Sequence, residues 1–313
     1  MVHCKKRTLF RRGPLSLKQF TLTWRITEKA SNVLLRDFLK DNKVSKAALT
    51  DIKFRGGNIL VNGYPVTVRY VLQVDDVLVI QFPPEKPSKE LMPENIPLQI
   101  VYEDDYILVV NKPAFMSTIP SREHRAGSLA HAILHYYNQI GLLSTIHVVN
   151  RLDRDTSGLL IVAKHRHVHH LFSELQKSAD IKRRYEAVVH GLLEYNVGTI
   201  DAPIGRKQDS IIEREVRSDG QHAITHYTVL DYLSDKTHVS LQLGTGRTHQ
   251  IRVHLSYLGH PLLGDTLYGG KRERINRQAL HCCEVCFFHP ILEKELSFTV
   301  SLPEDIKTLL GET

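Results

Sequence analysis

Val148-Val-Asn-Arg-Leu-Asp-Arg-Asp-Thr-Ser-Gly-Leu-Leu-Ile-Val-Ala-Lys164 is the stretch that the rest of the chain is read as serving. Arg151, Asp153, Arg154 and Asp155 stand between an apolar run that ends at Val149 and another that begins at Leu159, a pattern of strand, polar loop and strand. A loop gripped by two buried strands is a rigid mount, and catalytic or binding side chains are disproportionately carried on such loops. Thr156, Ser157 and Gly158 supply the hydroxyls and permissive backbone that a tight return into the second strand requires. Most charged loops are surface turns with solvated ion pairs. Charges this dense hard against core strands are an unusual way to build a plain turn.

The 313 residues are enough for one large domain or two ordinary ones, and a hydrophobic content of 42% is enough for real cores. No apolar run is long enough to span a bilayer, and residues 1–14 are basic without the apolar segment of a secretory signal, so a soluble, cytoplasmic protein is expected. The formal charge of +7 is unevenly placed: residues 1–82 hold 15 Lys and Arg against 6 Asp and Glu, and the remainder is slightly acidic. A basic front segment suits docking on a polyanion, although a positive surface without a partner would carry the same charge. Cys4, Cys282, Cys283 and Cys286 read as reduced thiols. Cys283-x-x-Cys286, with His281 and His289 nearby, lacks a second ligand pair at matching spacing, so core strand residues are favoured over a metal site.

Two short helices are expected within residues 31–57, the first capped by Ser31 or Asn32, the second by Ser45 and ended by Gly56-Gly57. Asn62-Gly63 marks a hairpin turn, followed by strands to Phe82. The prolines from Pro83 to Pro97 mark a semi-rigid linker, giving domains at 1–82 and 98–313 with residues 83–97 between them. In the second domain, Asn111-Lys-Pro-Ala follows an apolar strand, a helix is expected over 128–140, and His165, His167, His169 and His170 read as solvated or capping residues. Lys182-Arg-Arg-Tyr185 leads into another strand. Gly244-Thr-Gly-Arg247-Thr-His-Gln-Ile-Arg-Val-His254 runs into a helix, which puts Arg247 near a helix N-terminus where an anion is favoured. His249 and His254 lie five apart, off the one-turn spacing of helical metal ligands.

Arg151-Leu-Asp-Arg-Asp-Thr-Ser-Gly-Leu-Leu160 with Val162-Ala-Lys164 resembles the signature of the RluA-type RNA pseudouridine synthases, and the later boxes Gly264-Asp-Thr-Leu-Tyr-Gly-Gly270 and Arg277-Gln-Ala-Leu-His281 extend the likeness over about residues 100–305. Two departures stand out: Asn150 where the family commonly has histidine, and Phe115 where it usually has glycine, a residue that tolerates positive φ cheaply. Gly56-Gly-Asn-Ile-Leu-Val-Asn-Gly63 and Val74-Asp-Asp-Val-Leu-Val79 resemble the small S-four-like RNA-binding domain.

The resemblance implies an α+β protein: a catalytic domain on a mixed, largely antiparallel sheet with a central cleft, and a small α/β RNA-binding domain before it. It implies isomerisation of specific uridines in structured ribosomal or transfer RNA, without cofactor or metal, by Asp153 as the catalytic residue. Arg247 would pair with that carboxylate and keep it ionised, and Tyr185 would stack on the uracil. Arg151 would fill the gap left by a flipped nucleotide. Lys112 and, on the front domain, Arg36, Lys40, Lys43, Lys46, Lys53 and Arg55 complete the expected RNA contacts. The partner is RNA rather than a membrane, and a monomer is expected. The competing readings are a non-catalytic RNA-binding or ribosome-assembly factor on the same fold, favoured by Asn150 and Phe115, and a weaker zinc-dependent alternative resting on the cysteine and histidine clusters.

Overall fold

Residues 19–88, 90–121 and 123–311 are described by the computed structural model. They fall into two compact units: Met1–Glu90 with Leu134–Thr145, and Leu91–Ile133 with Ile146–Thr313. Residues 1–18, which carry part of the basic excess, lie outside the described residues. Among the described residues, no helix is long and apolar enough to cross a membrane.

The first unit contains β1 (Thr21–Arg25), α1 (Leu35–Asp41), α2 (Lys46–Phe54), β2 (Asn58–Val61), β3 (Tyr64–Pro65) and β4 (Val77–Gln81). The strands form an antiparallel sheet in the order β1-β4-β2-β3, consistent with an S-four-like domain. Strand β4 shows why: Leu78 and Ile80 alternate inward with Val77 and Val79 outward, and they join Leu35, Leu39 and Ile52 of the helices in one core. Ser45 caps α2 by accepting the Ala48 N–H at 3.1 Å. At α1 the expectation fails, because the cap position is Leu34 and the Ser31 hydroxyl donates instead to the Glu28 carbonyl at 2.8 Å. Asn62 and Gly63 both take positive φ, 51° and 84°, as a two-residue hairpin turn of this kind demands. Arg36, Lys40, Lys43, Lys46, Lys53 and Arg55 are all exposed.

The second unit contains β5 (Ile100–Glu103), β6 (Ile107–Lys112), the start of α3 (Leu129–Ile140), β7 (His147–Val148), β8 (Ser157–Ala163), α4 (Arg166–Lys177), β9 (Lys182–His190) and β10 (Val197–Asp201). There follow β11 (Ile204–Arg206), β12 (Arg214–Val216), β13 (Ile224–Leu233), β14 (Lys236–Leu243), α5 (Gln250–Tyr257), β15 (Leu280–His289), β16 (Lys294–Thr299) and α6 (Glu304–Leu310). Its main sheet runs β10-β13-β14-β9-β15-β8-β6-β5, with β16 on β15 and β7 on β8. Every pairing in it is antiparallel except β8 with β15. All seven residues of β8 are buried, which is why its sequence is a continuous apolar run rather than an alternation.

The parallel contact turns on Gly158. Its φ is +116°, and a Cβ there would lie 2.3 Å from the Cys282 carbonyl oxygen, so only glycine lets β8 and β15 come together at the mouth of the motif loop. Cys282 and Cys283 are buried on β15, and His165 caps α4 by accepting the His167 N–H at 3.1 Å.

Candidate active site

The loop between β7 and β8 is fixed from several directions, which begins to explain what its dense polar residues are for. Thr118 Oγ1 donates to the Leu152 carbonyl at 2.8 Å, and the Asn150 Oδ1 accepts the Ile161 N–H at 2.9 Å. Gln278 Nε2 donates to Thr156 Oγ1 at 3.1 Å, and Arg277 Nη1 donates to the Asp155 carbonyl at 3.3 Å. Asn150 is thus a buried strut that ties the loop back onto β8.

Lys112 is a further strut, which corrects its expected place among the RNA contacts. The residue is wholly buried, and its amine donates to the carbonyls of Pro113, Met116 and Arg154 at 2.9, 2.8 and 3.1 Å. It therefore joins the Asn111-Lys-Pro-Ala segment to the motif loop, matching three donors to three acceptors. Burial pushes its pKa down to about 7, against the raising pull of Asp153 and Asp155. Phe115, in the turn that Lys112 holds, adopts φ of 62°, the left-handed conformation that glycine would occupy at lower cost.

Asp153, held on this loop, faces α5. Arg252 Nη1 donates to Asp153 Oδ2 at 3.0 Å, while Nε and Nη2 of the same guanidinium hold Asp265 at 2.6 and 2.7 Å. Burial lowers the Arg252 pKa, but the hydrogen bond to Asp265 and the charges of Asp153 and Asp265 outweigh it and keep the guanidinium charged. Tyr268 lies against the guanidinium, 4.9 Å from ring centre to the central carbon. Asp153, Arg154, Asp155, His249, Arg252, Asp265 and Gln278 line one side of an open cleft of about 300 Å³, with Ile212, Gly264, Thr266, Leu267 and Arg272 completing its wall. An anchored carboxylate beside a cation at the wall of such a cleft can act on a bound molecule as nucleophile or base.

Residues 106–257 match the model of the RNA pseudouridylate synthase family. The chain is 52% identical over 276 residues to the uncharacterized RNA pseudouridine synthase YjbO of Bacillus subtilis, covering 88% of this chain and 98% of that protein.

The chain belongs to the RNA pseudouridylate synthase family.

It is also 38% identical to ribosomal large subunit pseudouridine synthase D of Vibrio cholerae, over 80% of this chain and 81% of the relative. Among solved structures, human RNA pseudouridylate synthase domain containing 1 is similar with a TM-score of 0.55 and 26% identity, over 69% of this chain and 86% of the other. The synthase therefore has the α+β architecture that the signature implied.

Within the synthase, the anticipated residues are only partly brought together. Asp153 is at the cleft and Arg151 is exposed on the same loop. Arg247 is not the partner of Asp153: it is exposed, and its Nε donates to the His222 carbonyl at 2.9 Å. Arg252 fills that place because it lies in the first turn of α5, whereas Arg247 precedes the helix. His249, the cap residue, and Arg252 are three apart and so share a helix face, a spacing that the sequence Arg247-Thr-His-Gln-Ile-Arg252 already displayed. Tyr185 is buried in β9 between β14 and β15 and does not line the cleft. Its phenol pKa is raised above the usual tyrosine value by burial first and by the neighbouring Cys282 next, with a smaller contribution from the charge of Asp153. Asp265 and Tyr268 were visible in the sequence only as members of a glycine-rich box.

Proposed function

We propose that this synthase converts uridines of structured RNA to pseudouridine with Asp153 as the reacting carboxylate, and that its target is ribosomal RNA. The observation that carries this is the Asp153 carboxylate held 3.0 Å from Arg252 at the wall of the cleft. In the isomerisation the bond from N1 to the sugar breaks, the uracil turns, carbon five bonds to the same sugar carbon, carbon five loses a proton and N1 gains one. Atoms and electrons balance within the nucleotide. A carboxylate can open this sequence at the anomeric carbon, at the pyrimidine or by taking a sugar proton, and each route uses one oxygen free of structural duty. The contacts from Arg252 and His249 both fall on Oδ2, which leaves Oδ1 to the substrate.

A base inside folded RNA reaches this cleft by flipping, at a cost of roughly a few kcal/mol. Arg151, exposed on the same loop, would take the vacated position in the stack, and the exposed basic side chains of the first unit would supply phosphate contacts that offset the cost. Preference for ribosomal RNA is supported by the relative from Vibrio cholerae, whose name assigns it to the large ribosomal subunit.

The test is Asp153→Asn in the full chain, with pseudouridines mapped in total RNA from cells carrying the wild type, the variant or no copy of the gene. A ribosomal site should be lost equally in the variant and the deletion, while the RNA affinity of the purified variant stays near that of the wild type. Retained modification by the variant would overturn the role of Asp153, and loss of transfer RNA sites alone would overturn the ribosomal target.

A further inference from the structure

We infer that His249 and Tyr268 form a positioning pair for the reaction: Tyr268 sets the tautomer of His249, and His249 turns an N–H toward Asp153 Oδ2. This rests on Asp153 being the reacting carboxylate. His249 occupies the cap position of α5 with φ 58° and ψ 19°, a left-handed conformation that a non-glycine residue holds only where its surroundings require it. The ring that this backbone positions stands edge-on to Tyr268, with centroids 5.7 Å apart at 78°. Its Nδ1 is 2.7 Å from the Tyr268 hydroxyl, and its Nε2 is 3.8 Å from Asp153 Oδ2.

The direction of each hydrogen bond follows from counting protons. The Tyr268 oxygen accepts the Arg214 backbone N–H at 3.0 Å, so its own hydrogen is available to Nδ1. Burial raises the Tyr268 phenol to a pKa of about 12 and lowers that of His249, so phenol and imidazole are both neutral near pH 7. A neutral imidazole that accepts at Nδ1 carries its proton on Nε2, and Nε2 faces the carboxylate. A separation of 3.8 Å is longer than a hydrogen bond, and contacts of this kind shorten when substrate closes the site. Arg252 and His249 then restrain the same oxygen from two directions. The charged and titratable groups acting on His249 are Asp153, Arg252, Asp265 and Arg214, with Tyr268 as the hydrogen-bond partner.

The experiment uses the full-length protein with total RNA from a strain lacking the gene, labelled with uridine tritiated at carbon five, and reads tritium release. His249→Ala should lower kcat by roughly 10- to 100-fold, the worth of a hydrogen bond to a charged group, with KM unchanged. His249→Gln, which restores an N–H but has no tautomers, should recover most of that loss. Tyr268→Phe removes the donor to Nδ1 and with it the preference for a proton on Nε2, so kcat should fall several-fold near pH 7, with the loss narrowing at lower pH as protonation of His249 restores the N–H toward Asp153. A folded His249→Ala variant with wild-type kcat, a Gln variant no better than Ala, or a Tyr268→Phe variant with wild-type kcat near pH 7 would each overturn the pair. Asp153→Asn in the same assay separates the failures: turnover by that variant removes the underlying reading, whereas an inactive Asp153→Asn beside a fully active His249→Ala removes only the positioning pair.

Discussion

Arg252 holds Asp153 and Asp265 at once, giving one nitrogen to the first at 3.0 Å and two to the second at 2.6 and 2.7 Å. The bidentate pair fixes the plane of the guanidinium, and the remaining nitrogen aims the carboxylate on the motif loop. Asp265 is 2% exposed, so the pair also carries a desolvated charge that must stay matched.

Arg252→Lys keeps a cation but loses the planar fork. The expected result is a fall in kcat of at least about tenfold, since a lysine amine cannot serve both carboxylates in this geometry. Steady-state kinetics should show it without a matching change in RNA affinity. Arg252→Ala should in addition lower the free energy of unfolding by about 3–5 kcal/mol, because it leaves the Asp265 charge buried alone.

Gly158→Ala should break the junction between β8 and β15. The new Cβ would meet the Cys282 carbonyl at 2.3 Å and the backbone would be held at φ +116°. A loss on the order of 3 kcal/mol is expected from strain and overpacking together, measurable by urea denaturation.

Lys112 predicts a pH dependence. Its pKa is about 7 in the folded protein and has a reference value of 10.5, so between these values the unfolded chain binds more protons than the folded one. Stability from this group therefore rises with pH across that window, and the folded state bears the full penalty of the buried charge below about pH 7. The difference in unfolding free energy between wild type and Lys112→Met should grow in favour of wild type from about pH 7 to pH 9. A flat difference would rule out a depressed amine at this position.

Replacing Lys40, Lys43 and Lys46 together by Gln tests the first unit as an RNA grip. The slope of log affinity against log salt should flatten by roughly 0.7–0.9 for each phosphate that the variant no longer neutralises. Turnover at saturating RNA should stay unchanged, because the substitutions lie far in sequence from the motif loop.

The strand, loop and strand around Asp153 were legible because burial on both sides leaves a continuous apolar run that a charged segment interrupts. The Asn62-Gly63 hairpin and the Ser45 cap were legible because each is a local chemical requirement. The partner of Asp153 was not: it depends on where α5 begins, and a boundary difference of a few residues exchanges Arg247 for Arg252. Lys112 misled for a related reason. A lysine in a polar box reads as exposed, and only the three carbonyls gathered from separate loops show why it is buried. Tyr268 joins the site through contacts with Arg214, His249 and Arg252, residues separated along the chain and gathered by folding.

The parallel seam between β8 and β15 has a consequence for synthesis on the ribosome. Ser157 and His281, adjacent across it and hydrogen-bonded at 2.8 Å, are separated by 124 positions in the chain. The motif loop is translated before β15, so one flank of its supporting strand stays an open edge until those later residues have emerged. Competence to modify RNA thus awaits the synthesis of β15, and a prematurely terminated chain lacking that strand would carry the signature residues without a framework to hold them.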